Sequence, residues 1–123
     1  MSSIQTPLID LLGHALDLTA QRQELVTENI ANLDTPGYHT RDLDFHAELQ
    51  RALLIEPDNA TGATPFVREV PGLIERPDGN NVNIDREGLL LAQNQLQFQT
   101  EAQLLHSEFN RLQEAINGGS GQS

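Results

Sequence analysis

Six residues that could do chemistry crowd into ten positions: His39, Arg41, Asp42, Asp44, His46 and Glu48. Read as a strand, the segment puts Asp42, Asp44, His46 and Glu48 on one face, a set of carboxylates and imidazole suited to a divalent cation. The competing reading is the solvated edge of an acidic protein, with Leu43 and Phe45 alternating to the buried side. That reading is preferred, because no tight ligand spacing accompanies the acids. The stretch DGNNVNIDREG, starting at Asp78, offers oxygen ligands in the manner of a calcium loop. An EF-hand needs glycine at its sixth position and glutamate at its twelfth, whereas here glycine is second and Leu89 falls twelfth. His14 and His106 lack an acid and a nucleophile as partners, and Ser2, Ser3 and Ser107 lack a nucleophile-elbow context. With no glycine-rich phosphate loop either, the sequence predicts no enzyme, cofactor or metal site.

Composition narrows the partners. The chain of 123 residues carries a net charge of −11, and its seven basic residues are all arginines, scattered from Arg22 to Arg111. Phosphate binding needs clustered positive charge, so nucleic acid and an anionic membrane surface are not expected partners. The chain has no cysteine, which excludes disulfides, thiolate nucleophiles and zinc–thiolate sites. The N-terminal MSSIQTPLIDLLGHALDLTA has no basic leader, and Asp10, His14 and Asp17 interrupt its apolar residues. It is expected to be neither a cleaved signal peptide nor a membrane span.

The elements that would position any site are two helices and the segment between them. Thr6 is a candidate N-cap for the first helix, with Pro7 at its first position and Asp10 in the first turn. A heptad runs through Leu8, Leu11, Ala15, Leu18, Arg22, Leu25 and Asn29, flanked by Leu12, Leu16, Val26, Ile30 and Leu33. Pro36 disfavours helix at Thr35, so the helix should stop near Leu33. A second helix is predicted over 85–117, capped by Asp85 and stopped by Asn117-Gly118. Its seam is Leu91, Gln95, Phe98, Ala102, Leu105, Phe109, Leu112 and Ile116, and its opposite face of Asn94, Gln97, Glu101, Glu108 and Arg111 expects water or a polar neighbour. Residues 34–84 hold Pro57, Pro65, Pro71 and Pro77, with short extended candidates at 66–70 and 73–76 and a turn at Asp78-Gly79. Residues 118–123, GGSGQS, read as a flexible tail.

These elements predict a mainly α fold. Residues 1–33 and 85–117 form a discontinuous helical assembly domain, packed as an antiparallel coiled-coil-like pair. Residues 34–84 form a small irregular middle segment with a β-hairpin. At 1.5 Å per residue the helices span roughly 40 Å and 50 Å. Two long helices packed only on each other leave much apolar surface wet, while ordering costs about 1–2 kcal/mol per residue. The helices are therefore expected to be marginal in the monomer and to be completed by neighbouring subunits. The expected assembly seam is Leu8, Leu11, Leu18, Leu25 and Ile30 on the first helix, with Leu91, Phe98, Leu105, Phe109, Leu112 and Ile116 on the second.

The joint between the first helix and the middle has a geometric reading. In Thr35-Pro36-Gly37-Tyr38, proline fixes φ at the second turn position, and glycine accepts the positive φ of a type II turn at the third. Asn32 and Asp34 can cap groups around the helix end, and Tyr38 can anchor the emerging chain.

With these residues in view, the chain resembles the flagellar rod–hook axial proteins of bacteria. The resemblance rests on NIANLDTPGY at Asn29–Tyr38 with RDLDF at Arg41–Phe45, and on DGNNVNIDRE at Asp78–Glu87 ahead of the last helix. It marks Asn29, Asn32, Thr35, Pro36, Gly37, Tyr38, Asp78, Gly79, Asn80 and Asn81 as family motif positions. The second motif and the short length point to a proximal-rod member. The resemblance implies a non-enzymatic building block of the shaft that carries torque from membrane ring to hook. Such proteins are exported unfolded by the flagellar type III apparatus without a cleaved signal. Their terminal helices are disordered in solution and form the inner tube on assembly. Implied partners are copies of itself, the other rod proteins, the adaptor linking rod to membrane ring, and the export apparatus. An acidic coiled-coil adaptor or export chaperone is the alternative, which the TPGY joint and proline-rich middle do not suit.

Overall fold

Thr6 opens the first helix as its chemistry requires: the side-chain oxygen accepts from the amide of Ile9 at 3.1 Å, and Pro7 occupies the first turn. The computed structural model describes residues 6–54 and 64–119. Helix α1 runs Pro7–Ala31, strand β1 Arg41–Leu43, helix α2 Phe45–Leu54, strand β2 Val67–Glu69 and helix α3 Ile84–Gly119. Pro57 and the tail beyond Gly119 lie outside the described residues. Helix α1 ends two residues before Leu33, because Asn32 caps it, its amide donating to the Glu28 and Asn29 carbonyls. Helix α3 begins earlier than predicted. Its cap is Asn83 rather than Asp85, with the Asn83 carboxamide oxygen accepting from the amide of Arg86 at 3.1 Å. It also continues through Asn117-Gly118, where a stop was expected.

The architecture is mainly α, with α1 and α3 packed together and a small antiparallel β pair in the middle. Cross-helix bonds set the direction. Asn29 meets Glu87 while Thr19 meets Glu101, so the two helices run antiparallel. The core lies along α1 at Ile9, Leu12, Ala15, Leu18, Leu25 and Val26, closed at the joint by Leu43 and Val82.

One reading of the middle is corrected: 42–48 is not one strand. Asp44 accepts from the amide of Ala47 at 3.1 Å, and the chain turns directly into α2. Strand β2, within the extended candidate 66–70, pairs antiparallel with β1 in the register Arg41↔Glu69, Asp42↔Arg68 and Leu43↔Val67. Helix α2 packs against α1 and is tied to β2 by Glu48, whose carboxylate accepts from Arg51 at 2.7 Å and from the Phe66 amide at 3.2 Å.

The packing of α3 bears most on function. The face expected to meet water or a polar neighbour is turned inward, onto Thr19 of α1. Glu87, Asn94, Glu101 and Glu108, spaced by seven, are all buried. Glu101 accepts from the Thr19 hydroxyl at 2.8 Å and from the Gln97 amide at 2.9 Å. Glu108 is held by Arg111 at 2.6 Å, which keeps its carboxyl below the usual carboxylate range. Among the described residues, Leu89, Leu96, Phe98, Leu104, Phe109 and Ile116 of α3 are left exposed.

Candidate functional site

Two surfaces hold the residues the sequence singled out: a polar joint at the end of α1, and the apolar stripe of α3. The joint is built around Asn29, which is 1% exposed. Its amide nitrogen donates to the Arg41 carbonyl and to Glu87, both at 2.9 Å. Its oxygen accepts from the Tyr38 hydroxyl at 3.0 Å and the Arg41 amide at 3.1 Å. One side chain therefore joins α1, the turn, β1 and α3, using the full capacity of a carboxamide. Tyr38 anchors the emerging chain through that same bond.

The turn and the second motif form one unit. The Tyr38 amide donates to the Thr35 carbonyl at 3.2 Å, and Gly37 has φ +75° between them. Asp78 accepts the Gly37 amide on its carbonyl at 2.9 Å. Asn80, fully buried, donates to the carbonyls of Asn32 at 2.9 Å and Thr35 at 2.8 Å, just beyond the end of α1. Asn81 accepts the Thr40 amide at 2.7 Å and donates its own amide to the Tyr38 carbonyl at 3.2 Å. Arg76 reaches the carbonyls of Leu33 and Val82. Asn32 bonds the Glu28 carbonyl at 2.8 Å and receives the Thr35 hydroxyl at 3.0 Å, while Asp34 is exposed. Gly79 sits at φ +86°, and a Cβ there would stand 3.3 Å from the Gly37 Cα. Substituting Gly79 by valine should thus disrupt the joint more than Gly37→Val, because Gly37 has open space and only the φ penalty. Urea unfolding of the two variants compares them directly.

The acids and histidines of the opening cluster are distributed to separate duties. Asp42 is clamped by Arg22 through two bonds of 2.9 Å and faces Arg86 at 3.4 Å, while Arg86 also holds buried Glu87 at 2.6 Å. Two arginines and two carboxylates balance, which is the condition for burying such charges. Asp44 caps α2, and His46 and Glu48 lie on that helix. His39 bridges Glu69 at 3.0 Å and Glu75 at 3.7 Å. The hydrogen bond to Glu69 raises its pKa above the ordinary 6.5. A raised folded value makes its stabilising contribution complete below 6.5 and lost as pH rises through the folded midpoint. An NMR titration of the His39 ring should give a midpoint above 6.5 that falls back in Glu69→Gln.

The expected seam divides between inside and outside. Leu18 and Leu25 are buried within the α1–α3 pair, whereas Leu8, Phe98, Phe109 and Ile116 are exposed. Leu11, Ile30, Leu91, Leu105 and Leu112 are half-buried along its flanks. Sequence reasoning passed over Leu89, Leu96 and Leu104, which are exposed on α3 outside the chosen heptad. Their spacing of seven and eight was the available signal. No described helix is long and apolar enough to cross a membrane.

Comparison with known proteins meets this geometry at the joint. The family described as "Flagella basal body rod protein" matches residues 9–39, which span α1 and the turn. The chain is 34% identical to the flagellar basal body rod protein FlgB of Salmonella typhimurium, over 86% of this chain and 90% of that protein. It is 36% identical to that of Escherichia coli over the same shares. With that of Bacillus subtilis it shares 30% identity over 95% of this chain and 98% of the relative.

Proposed function

The chain belongs to the FlgB family of flagellar basal body rod proteins, and from that premise we propose how its surfaces build a rod. It is a structural subunit of the basal-body rod, a helical building block of the machinery of motility. We place it in the proximal rod, where it hands torque from the membrane ring toward the hook. Its partners are copies of itself, the other rod proteins and the adaptor to the membrane ring. It is exported through the flagellar type III apparatus without a cleaved signal, acts in the periplasmic space and performs no catalysis.

The observation that carries this reading is the inverted packing of α3. A helix that turns its glutamates inward and leaves Leu96 66% exposed has an unfilled apolar face. Exposed apolar stripes on a long helix mark interaction surfaces. The assembly surface is the outward stripe of α3 with Leu8 of α1, while Leu18 and Leu25 stabilise the subunit itself. Burying such a stripe contributes about 25 cal/mol per Å² of apolar area. Head-to-tail contacts between copies that do not close into a ring generate a helical tube. Residues 7–31 and 84–119 act as the assembly unit, and the two-motif joint holds the middle segment at a fixed angle to it. Torque passes because the joint is cross-bonded and packed helices resist shear.

The test is replacement. A motile bacterium whose own subunit is deleted should regain swimming when this chain is supplied, and the chain should copurify with isolated basal bodies. A chain confined to the cytoplasm, bound to one client, would favour an adaptor or chaperone instead.

A further inference from the structure

The inward ladder of α3 has one unfilled rung. Glu87, Glu101 and Glu108 all have hydrogen-bond partners, whereas Asn94, only 2% exposed, keeps an amide nitrogen with no partner among the described residues. Across the same groove, the side-chain oxygen of Gln23 on α1 is equally buried and unpaired. The two line a cleft of about 560 Å³ between α1 and α3, walled by Ala20 and the half-exposed ring of Phe98. Buried polar atoms left unpaired cost about 1–3 kcal/mol each, so their persistence asks for a missing partner. The unmet needs are one donor and one acceptor, the complement of a carboxamide.

We propose that this groove receives the carboxamide of a glutamine from a second copy of the chain. The occupant follows from charge. The chain carries −11, so copies repel wherever their acids meet. From Gly88 to Ser107, Glu101 is the sole Asp, Glu, Lys or Arg, and it is buried. The outward face of this stretch is leucine, Phe98, His106, small residues and the exposed glutamines Gln93 and Gln103, while Gln95 and Gln99 line the groove itself. It can meet another copy without like-charge cost, and Gln93 and Gln103 bring carboxamides for the two groove atoms that the chain's own Gln95 and Gln99 leave unpaired. The groove thus fixes the register at which one α3 lies on the next α1–α3 pair. This rests on the rod reading above and adds the residue-level contact.

A double-mutant cycle on the purified full chain tests it. Self-association is measured by sedimentation for Asn94→Leu, for Gln93→Leu and Gln103→Leu, and for each pair with Asn94→Leu, with thermal unfolding alongside. Asn94→Leu should weaken association about tenfold with the melting temperature unchanged or raised. One glutamine variant should weaken it equally, and its combination with Asn94→Leu should cost nothing more. Gln23→Leu should reproduce the Asn94 effect. Additive costs for every pair, or association untouched by Asn94→Leu, would mean solvent fills the groove and would overturn the proposal. So would a wild-type chain that enters basal bodies but never associates with itself, which points to a different rod protein as the occupant. A wild-type chain that neither enters basal bodies nor restores swimming would overturn the rod reading itself.

Discussion

Asn29→Leu should be the most destabilising single substitution in the joint, removing about 3–5 kcal/mol. Leucine is similar in size but offers no polar atom. The change strands the Arg41 amide and carbonyl, the Tyr38 hydroxyl and one oxygen of Glu87. Glu87 is fully buried, so its carboxylate would keep only Arg86. Losing a partner of a buried charge costs more than losing a neutral hydrogen bond, and here both losses occur together. Urea denaturation should show the midpoint collapse toward zero denaturant. Asn32→Ala is the control. Its side chain makes local neutral hydrogen bonds at a half-buried position, and losing them should cost about 1 kcal/mol. Equal effects of the two would mean that Asn29 is not the hub described.

The second large effect concerns assembly without stability. Leu96→Glu introduces one carboxylate into the stretch 88–107 of α3, which exposes no other Asp, Glu, Lys or Arg, at a site 66% exposed in the subunit. Water solvates it there, so the melting temperature should shift by less than about 0.5 kcal/mol equivalent. In an assembly the same group would be buried against a neighbour without a partner, at a cost of several kcal/mol per contact. Repeated along a polymer, that cost should abolish incorporation into basal bodies and with it swimming, while export continues. Glu24→Gln, at an exposed charged position of α1, should leave both unchanged.

How much of this was legible in the sequence follows a physical line. Helices α1 and α3 were readable because Thr6, Pro7 and the apolar periodicity act locally. Helix α2 was hidden because Asp42, Leu43, Asp44 and Phe45 alternate as a strand would. The local signal that competes is Asp44 capping a helix that carries Phe45, Leu49 and Leu53. Which neighbour meets each face of α3 was hidden for a different reason. Periodicity locates a stripe of Leu91, Phe98, Leu105 and Phe109, but it does not say whether the helix's own partner or a neighbour covers it. Thr19 and Asn29 on α1 decide that by offering hydrogen bonds to Glu101 and Glu87 across more than fifty residues of chain. The use of Asn80 and Asn81 was likewise invisible locally. Their partners, Asn32, Thr35 and Thr40, lie more than forty residues away.

The central claim is that the outward stripe of α3 is open in the subunit and covered in the rod. The native chain contains no cysteine, so a single Leu104→Cys provides a unique reporter at a position 53% exposed. Its rate of modification by a water-soluble maleimide can be compared between the purified subunit and isolated basal bodies that contain it. The account predicts rapid labelling of the subunit and strong protection in the basal body. Equal labelling in both would show that the stripe stays in water after assembly, and would contradict it.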